Sequence, residues 1–234
     1  MDSMKRTARL AGLFYLVVVL TGPFVLLYVP GKIFVPGDAT ATAANLLAHE
    51  TLFRSSIVIG LVSELCFLAA ALLLYRLLRG VDGTLAFLMA LLIFLVTPVG
   101  LVATANEVAT LAVLHGDYLV AFDAPQRAAL ATLLVEIDRH GVLVSELFWG
   151  LWLLPLGILI HRSKFLPRWL GVWLFANGLA YVAISTTGIL VPQYLKSVST
   201  FATPILFGEM ALMLWLLIVG VRVPPAASAP PHPG

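Results

Sequence analysis

The chain consists of long apolar runs separated by polar connections. The hydrocarbon core of a bilayer is about 30 Å thick, so a helix needs roughly 20 apolar residues to cross it. The runs are continuously apolar, whereas the strands of membrane barrels are short and alternate in polarity. The pattern therefore predicts an all-α polytopic membrane protein, a six-helix transmembrane bundle, with spans at 10–29, 56–78, 84–106, 142–160, 167–190 and 201–221.

The basic residues indicate how the bundle is oriented. Lys and Arg accumulate in the cytoplasmic flanks of membrane spans. With a cytoplasmic N-terminus, nine of the 14 Lys and Arg residues lie inside and five lie outside. We therefore expect both termini in the cytoplasm, in a bacterial inner membrane. Residues 1–222 are predicted to form a single transmembrane domain, and the Pro-rich tail, residues 223–234, is predicted to be disordered.

The first two outer connections, residues 30–55 and 107–141, are long, and each contains a helix signal. In the first, Asp38 or Thr40 can cap a helical run. In the second, residues 123–126 form a capping box with an early proline, which marks a helix start. We expect a short amphipathic helix in each loop, and the alternative is a plain solvated connection. The apolar residues of the second helix recur at i, i+3, i+4 and i+7: Leu130, Leu133, Leu134 and Ile137.

Composition excludes several classes of protein. The chain is 61% hydrophobic and 11% charged, with a mean hydropathy of +1.02, whereas soluble domains have about 25% charged residues. So few charges cannot cover a water-facing surface, which excludes an ordinary soluble enzyme and a disordered regulator. The net charge of +2 provides no basic face for nucleic acid. Cys66 is the one cysteine, which excludes a disulfide framework.

Four glutamates lie within or at the edge of the predicted spans: Glu64, Glu107, Glu146 and Glu209. An ionisable residue near the bilayer centre costs roughly 2.5–3.5 kcal/mol, so it faces the bundle interior or a water-filled cavity. No Lys or Arg lies in the middle of a span to pair with them, and we expect at least one carboxyl to hold a proton. All four fall in the outer half, which predicts an outward-facing acidic cavity. The alternative is that each carboxylate hydrogen-bonds within the bundle and fixes the packing.

Three further residues are candidates for this ligand- or proton-binding site. Arg139 precedes Glu146 by seven residues and can approach it only by reaching inward. Trp149 and Trp152 lie inside the fourth span, where they can line a pocket for a flat or cationic ligand through stacking or cation–π attraction. The alternative for both tryptophans is ordinary core packing.

The histidines indicate no cofactor. A b-type haem needs axial ligands on the helices, whereas the histidines lie in loops, at helix ends or in the tail. Glu136 and His140 have the i, i+4 spacing of a weak pair of metal ligands, and we predict no metal site from this pair. The sequence contains no phosphate-cradling glycine loop, G-x-S-x-G or H-E-x-x-H motif, so it indicates no catalytic residues.

Several motifs in order along the chain are similar to those of a known family. They are VPGDATATAAN at 35–45, FWGLWLLPLG at 148–157, SKFLPRWLG at 163–171 and GE at 208–209. Together they resemble the bacterial membrane family known as domain of unknown function 4386, over residues 6–222. The resemblance implies a helical membrane fold and supplies no activity. Within it, Glu209, Pro155 and residues 138–141 fall where the family carries similar residues.

Three functions are compatible with this sequence. The leading hypothesis is a non-enzymatic protein that binds or transports a small molecule or cation, with Glu146 and Glu209 as its acidic centre. The second is a membrane-embedded enzyme acting on a lipid or isoprenoid, and the third is a structural or stress-response subunit without a ligand. The expected partners are the lipid bilayer and a small lipophilic or cationic ligand. A homo-oligomer is compatible with the sequence, and a nucleic-acid partner is not.

Overall fold

The computed structural model describes residues 2–116 and 119–221, and the part it describes is helical without strands. Its helices are α1 (Asp2–Pro23), α2 (Val29–Ile33), α3 (Ala39–Ala48), α4 (Glu50–Leu78), α5 (Gly83–His115), α6 (Ala124–Arg162), α7 (Arg168–Leu190) and α8 (Leu195–Ile218). A π-helical turn joins α1 to α2, so that Ser3–Ile33 is one continuous helix. This helix and α4 to α8 are the six described helices long and apolar enough to cross a membrane. The predicted six-helix bundle is confirmed, and the predicted tail, residues 223–234, lies outside the described residues.

The predicted helix in the first loop is confirmed, whereas the second is not a separate element. The Asp38 carboxylate caps α3 by accepting from the Ala41 N–H at 2.8 Å. α6 begins at the predicted capping box and then continues into the fourth span as one helix of 39 residues. Residues 127–141, between the capping box and the fourth span, contain Gly141 and no proline. A lone glycine costs about 1 kcal/mol in a helix without ending it. By helical rise α6 is about 58 Å long, so it extends well beyond a bilayer core.

The six membrane helices form a closed ring in which neighbours along the chain are also neighbours in space. α1 packs on α4, and each helix from α4 to α8 packs on the next. α8 then packs on α1, which closes the ring, while α3 lies against α6. Short connections between antiparallel helices favour this order. Closure brings residues from the two ends of the chain together inside the ring.

Four glycines allow α6 and α7 to approach very closely. A Cβ on Gly150 would lie 2.6 Å from the Gly178 carbonyl oxygen, and one on Gly157 would lie 2.7 Å from that of Gly171. The two glycines of each helix are seven residues apart, so both lie on one helix face. Small residues are enriched where membrane helices pack, because the backbones can then come close enough for extensive van der Waals contact. This contact fixes α7 against α6 at two levels.

The core of the ring is a cluster of large buried aromatic side chains. Tyr15 of α1 is 1% exposed and Trp152 of α6 is 0% exposed. Their ring centroids are 6.2 Å apart, and Phe67 of α4 lies edge-on to Trp152 at 5.2 Å. Such edge-to-face pairs contribute about 0.5–1.5 kcal/mol beyond the burial of their area. The Tyr15 hydroxyl therefore projects from a rigid support.

Candidate functional site

A carboxylate and two tyrosines from three helices meet inside the ring. The Tyr15 hydroxyl of α1 donates a hydrogen bond to Glu209 Oε2 of α8. Tyr181 of α7 also hydrogen-bonds the Glu209 carboxylate. A carboxylate accepts through both oxygens, and phenolic hydroxyls are able to donate to it. Charge-assisted hydrogen bonds of this kind are roughly twice as strong as neutral ones, so the two tyrosines stabilise the buried charge. We refer to Glu209, Tyr15 and Tyr181 as the carboxylate centre.

Two side chains of α7 hold α8 in register beside this centre. Trp173 donates its indole N–H to the Ile205 carbonyl at 2.9 Å, and Asn177 donates to the Leu206 carbonyl at 3.1 Å. Trp173 and Asn177 are four residues apart on one helix face, and they bind consecutive carbonyls of α8. Gly208 lies under both, because a Cβ there would come within 3.1 Å of the Trp173 ring and 3.3 Å of the Asn177 amide. Glu209, the next residue, is thereby placed in the ring.

Glu146 of α6 lies near Tyr181. Its charge acts on the Tyr181 hydroxyl, and its Oε2 is buried without a hydrogen-bond partner among the described residues. Trp149, one turn further along α6, lies edge-on to the Tyr181 ring at 6.1 Å. Tyr181 therefore hydrogen-bonds one predicted carboxylate, Glu209, and lies near the other, Glu146.

Arg139 does not lie over Glu146. Its guanidinium pairs with Glu136 at 2.9 Å, three residues earlier on the same helix. It also lies 4.7 Å from the centroid of the Phe34 ring, which belongs to the segment before α3. An i, i+3 partner is close at hand, whereas Glu146 is seven residues away, about 10 Å by helical rise. Between Arg139 and Arg162 the sequence of α6 contains no Lys or Arg.

The two predicted tryptophans have different surroundings. Trp149 is half-buried and contacts Tyr181, so it lies beside the carboxylate centre. Trp152 is fully buried against Tyr15 and Phe67, so it belongs to the aromatic core that supports the centre. Its indole nitrogen has no hydrogen-bond partner in the part of the chain that the structure describes.

Glu107 of α5 and Asp138 of α6 form a second acidic pair. The Asp138 carboxylate lies near enough to repel a negative charge on Glu107. One oxygen of Asp138, Oδ1, is buried and has no hydrogen-bond partner within the described residues. Asp138 is the first of residues 138–141, the stretch that falls where the resembled family carries similar residues. Its spacing of eight residues from Glu146, just over two helical turns, is the signal that places both toward one side of α6.

Glu64 lies apart from these groups, between α4 and α5. It hydrogen-bonds Thr97, and a Cβ on Gly100 would lie 3.2 Å from its carboxyl carbon. Glycine at position 100 therefore makes room for the carboxyl. This environment is the one expected if the Glu64 carboxyl only fixes the packing of α4 and α5.

Glu64 and Glu107 lie at different depths in the bundle. Glu64 is 14 residues from the start of α4, or about 21 Å by helical rise, whereas Glu107 is eight residues from the end of α5, about 12 Å. The ends of α4 and α5 are level, because Glu50 accepts from His115 at 3.2 Å. A hollow of about 680 Å³ at the junction of α3 and α4 is lined by residues 47–52 and Arg54, and by none of the four glutamates. The single acidic cavity stays a prediction.

The weak pair of metal ligands is engaged in local contacts. The Glu136 carboxylate pairs with Arg139, and His140 Nδ1 lies 2.7 Å from the Glu136 carbonyl oxygen. Over residues 2–116 and 119–221, no group of three or more His, Cys, Asp or Glu side chains is arranged to hold a metal ion.

Tyr15 and Tyr181 are the site residues that the sequence analysis did not predict. The sequence pattern around Tyr15 and Tyr181 does not show whether a tyrosine serves as a hydrogen-bond donor or only as a core aromatic residue.

The fold and the site define a polytopic membrane protein with a carboxylate centre inside a ring of six helices. Residues 10–220 match the family described as Domain of unknown function (DUF4386), so the chain belongs to this family. A relative from Archaeoglobus fulgidus, named only as an uncharacterized protein, is 31% identical over 91 residues. The aligned part is 37% of this chain and 51% of the relative, so the match spans about half the relative's length. No solved structure matches the chain.

Proposed function

We propose that this protein binds a small cation at the carboxylate centre and exchanges it across a bacterial inner membrane, with both termini in the cytoplasm. The observation that carries the proposal is a carboxylate held by two tyrosine donors within an apolar ring of helices. Glu209 accepts from Tyr15 and Tyr181, and Glu146 lies near Tyr181. The sequence has no Lys or Arg between Lys196 and Arg222 of this region.

The chemistry of the centre favours an exchangeable positive charge. A carboxylate inside a membrane is expensive unless it is paired. A neighbouring arginine would neutralise it permanently, whereas two neutral hydroxyl donors stabilise it and leave its charge uncompensated. A mobile cation can supply the missing charge and leave again. The Trp149 ring beside Tyr181 adds an electron-rich face that attracts cations.

Glu107 and Asp138 support an approach to the centre from one end of the bundle. The pair lies closer to the C-terminal end of α5 than Glu64 does, and it precedes Glu146 along α6. In the proposed orientation this end of α5 is the outer end. Acidic side chains that lead inward raise the local concentration of cations.

The test is cation binding to the purified protein in detergent, followed through its tryptophan fluorescence. We would titrate sodium chloride, potassium chloride and tetraphenylphosphonium chloride at several pH values, and also change pH alone. We expect a saturable change with at least one of these cations, the proton included, because Trp149 packs on Tyr181. Glu209→Gln and Glu146→Gln should remove the change, since glutamine keeps the shape and loses the charge.

Glu50→Gln is the matched control. Its carboxylate pairs with Arg54 and His115 at the start of α4, away from the centre, so the response should persist. If the wild-type protein responds to none of the cations, and the Glu209 and Glu146 variants lose only thermal stability, the carboxylates serve packing and the proposal is wrong. Conversion of added membrane lipid into a new product would instead favour an enzyme.

A further inference from the structure

A groove of about 520 Å³ runs between α1 and α4, and most of the side chains that line it are apolar. The lining residues are Phe14 of α1 and Ala69, Leu72, Leu73, Tyr75 and Arg76 of α4. Those at 69, 72, 73 and 76 have the i, i+3, i+4, i+7 spacing of one helix face. Leu72 is 50% exposed and Arg76 is exposed as well, so the groove lies on the outer surface of the ring, where lipid surrounds it.

Two contacts fix the register of α1 against α4. The Tyr15 and Phe67 rings stack with their centroids 6.1 Å apart. Six residues further along α1, the Thr21 hydroxyl donates to Ser63 Oγ at 2.9 Å. Residue numbers rise along α1 while they fall along α4, so the two helices are antiparallel. The start of α1 and the end of α4 therefore lie at the same end of the bundle, which is the end of the groove that Arg76 occupies.

Basic residues surround this end of the groove. Arg6 comes nine residues before Tyr15, and Arg76 comes nine residues after the stacking partner of Tyr15. Both arginines therefore lie about 14 Å beyond the stacked rings by helical rise. The start of α1 and the end of α4 together contribute five basic residues: Lys5, Arg6, Arg9, Arg76 and Arg79.

The described residues provide no acidic partner for these five cations. None of the five belongs to an ion pair of the described structure. The sequence contains no Asp or Glu from residue 3 to residue 37 or from residue 65 to residue 81. The next acid after α4, Asp82, pairs with Arg162 at 3.2 Å. A ligand that complements this end of the groove carries a negative group joined to an apolar chain.

We propose that the groove binds one anionic phospholipid. Its acyl chain lies along Phe14, Leu72 and Leu73. Its phosphate accepts hydrogen bonds from the Arg76 guanidinium, whose fork of N–H groups matches two phosphate oxygens at once. Tyr75, the neighbour of Arg76, belongs to a residue type that is enriched at the level of the lipid headgroups. A free phosphate ion would leave the apolar length of the groove unfilled.

The charge of the membrane surface favours the same ligand. In the proposed orientation this end of α4 faces the cytoplasm, and the cytoplasmic leaflet contains anionic lipids that attract basic residues next to a membrane helix. Basic pockets between membrane helices on this side bind anionic headgroups. The lipid site does not depend on the proposed cation binding, because neither Glu146 nor Glu209 lines the groove.

Native mass spectrometry of the purified protein in detergent tests the site by counting bound lipids. Dioleoylphosphatidylglycerol, which is anionic, is compared with dioleoylphosphatidylcholine, which is zwitterionic and has the same chains. We expect one phosphatidylglycerol to bind more tightly than phosphatidylcholine. Arg76→Gln should weaken this first binding step about fivefold, the effect of one basic residue at an anionic surface. Since Arg76 is exposed, we expect the variant to fold.

Arg168→Gln is the matched control. Arg168 is exposed at the start of α7, and α7 packs mainly on α6 and α8. The variant therefore loses the same charge without touching the groove, and it should bind phosphatidylglycerol as the wild type does. Ala69→Phe fills the groove and should also weaken the binding, whereas Leu101→Phe, at an exposed position of α5, should not.

Three results would overturn the lipid site. Equal binding of the two lipids would mean that the groove does not recognise charge. Equal weakening by Arg76→Gln and Arg168→Gln would assign the effect to the net charge of the protein. Release of phosphatidylglycerol by an equal concentration of inorganic phosphate would assign Arg76 to a free ion. Each of these results leaves the cation titration of the carboxylate centre unaffected, so the two proposals fail separately.

Discussion

At Glu209, two hydroxyl donors offset the cost of placing a carboxylate among apolar helices. A buried polar group without a partner costs roughly 1–3 kcal/mol, and more when it is charged. Tyr15 is fixed by the rings of Phe67 and Trp152, so its hydroxyl is already oriented when it meets the carboxylate. This arrangement makes Tyr15 both a core residue and a polar ligand of Glu209.

We predict that Tyr15→Phe lowers the free energy of unfolding by about 1–2 kcal/mol, because the ring is kept while one charge-assisted donor is lost. Chemical denaturation in detergent measures the change. Combining Tyr15→Phe with Glu209→Gln in a double-mutant cycle should give less than the sum of the single effects, since the two residues share one hydrogen bond. Tyr194→Phe serves as the reference. Additive effects would mean that the hydrogen bond contributes nothing to stability.

Residue identity alone predicted the acidic members of the site and not the tyrosines. A glutamate inside an apolar run is conspicuous because its burial is costly. Tyr15 and Tyr181 have side chains that suit the core, an interface or a site equally well. Their role depends on which helix faces them, and three different helices contribute the three groups of the centre.

Among the elements, α6 and α7 pack so closely that a Cβ at any of four facing glycines would lie under 3 Å from the other helix's backbone. Two glycines on each helix face their counterparts, Gly150 with Gly178 and Gly157 with Gly171. The spacing of seven residues is visible in the sequence, but it identifies no partner by itself. The sequence predicts two elements here, a helix after the capping box and the fourth span, whereas α6 is one helix because nothing between them ends it.

We predict that Gly157→Ala destabilises the protein by about 1–3 kcal/mol, because its Cβ would lie 2.7 Å from the Gly171 carbonyl oxygen and 2.9 Å from the Phe175 nitrogen. Gly141→Ala is the matched control on the same helix, where no atom lies within 4 Å of the added Cβ. It should be neutral or stabilising by up to about 1 kcal/mol, since alanine favours the helix. The melting temperatures of both variants, measured in the same detergent, test this prediction. Equal melting temperatures would contradict the close contact of α6 with α7.

For the whole molecule, the closed ring decides where the site forms. α8 returns to α1, so that Glu209 meets Tyr15, 194 residues earlier in the chain. The proposed orientation of this ring in the membrane, with both termini in the cytoplasm, rests on its basic residues, nine against five. That orientation decides which side of the membrane the Glu107 and Asp138 pair faces.

We predict that a cysteine at position 129 reacts with a membrane-impermeant maleimide on intact cells, whereas one at position 164 reacts only after permeabilisation. Ala129 and Lys164 are both exposed, near opposite ends of α6. The variants Ala129→Cys and Lys164→Cys would be made with Cys66→Ser, which removes the native thiol. The opposite labelling pattern would reverse the orientation and move the acidic approach to the cytoplasmic side.

The sequence by itself determined the membrane class, the number of spans, the helix starts at Asp38 and Asp123 and the costly buried acids. These features follow from local rules: the length of apolar runs, capping by short polar side chains and the price of burying charge. The tertiary structure alone decided which acids have neighbours. It joined Glu209 to Tyr15 and Tyr181, brought Asp138 near Glu107 and left Glu64 with Thr97. Partners on different helices depend on helix rotation and ring order, which no local pattern encodes.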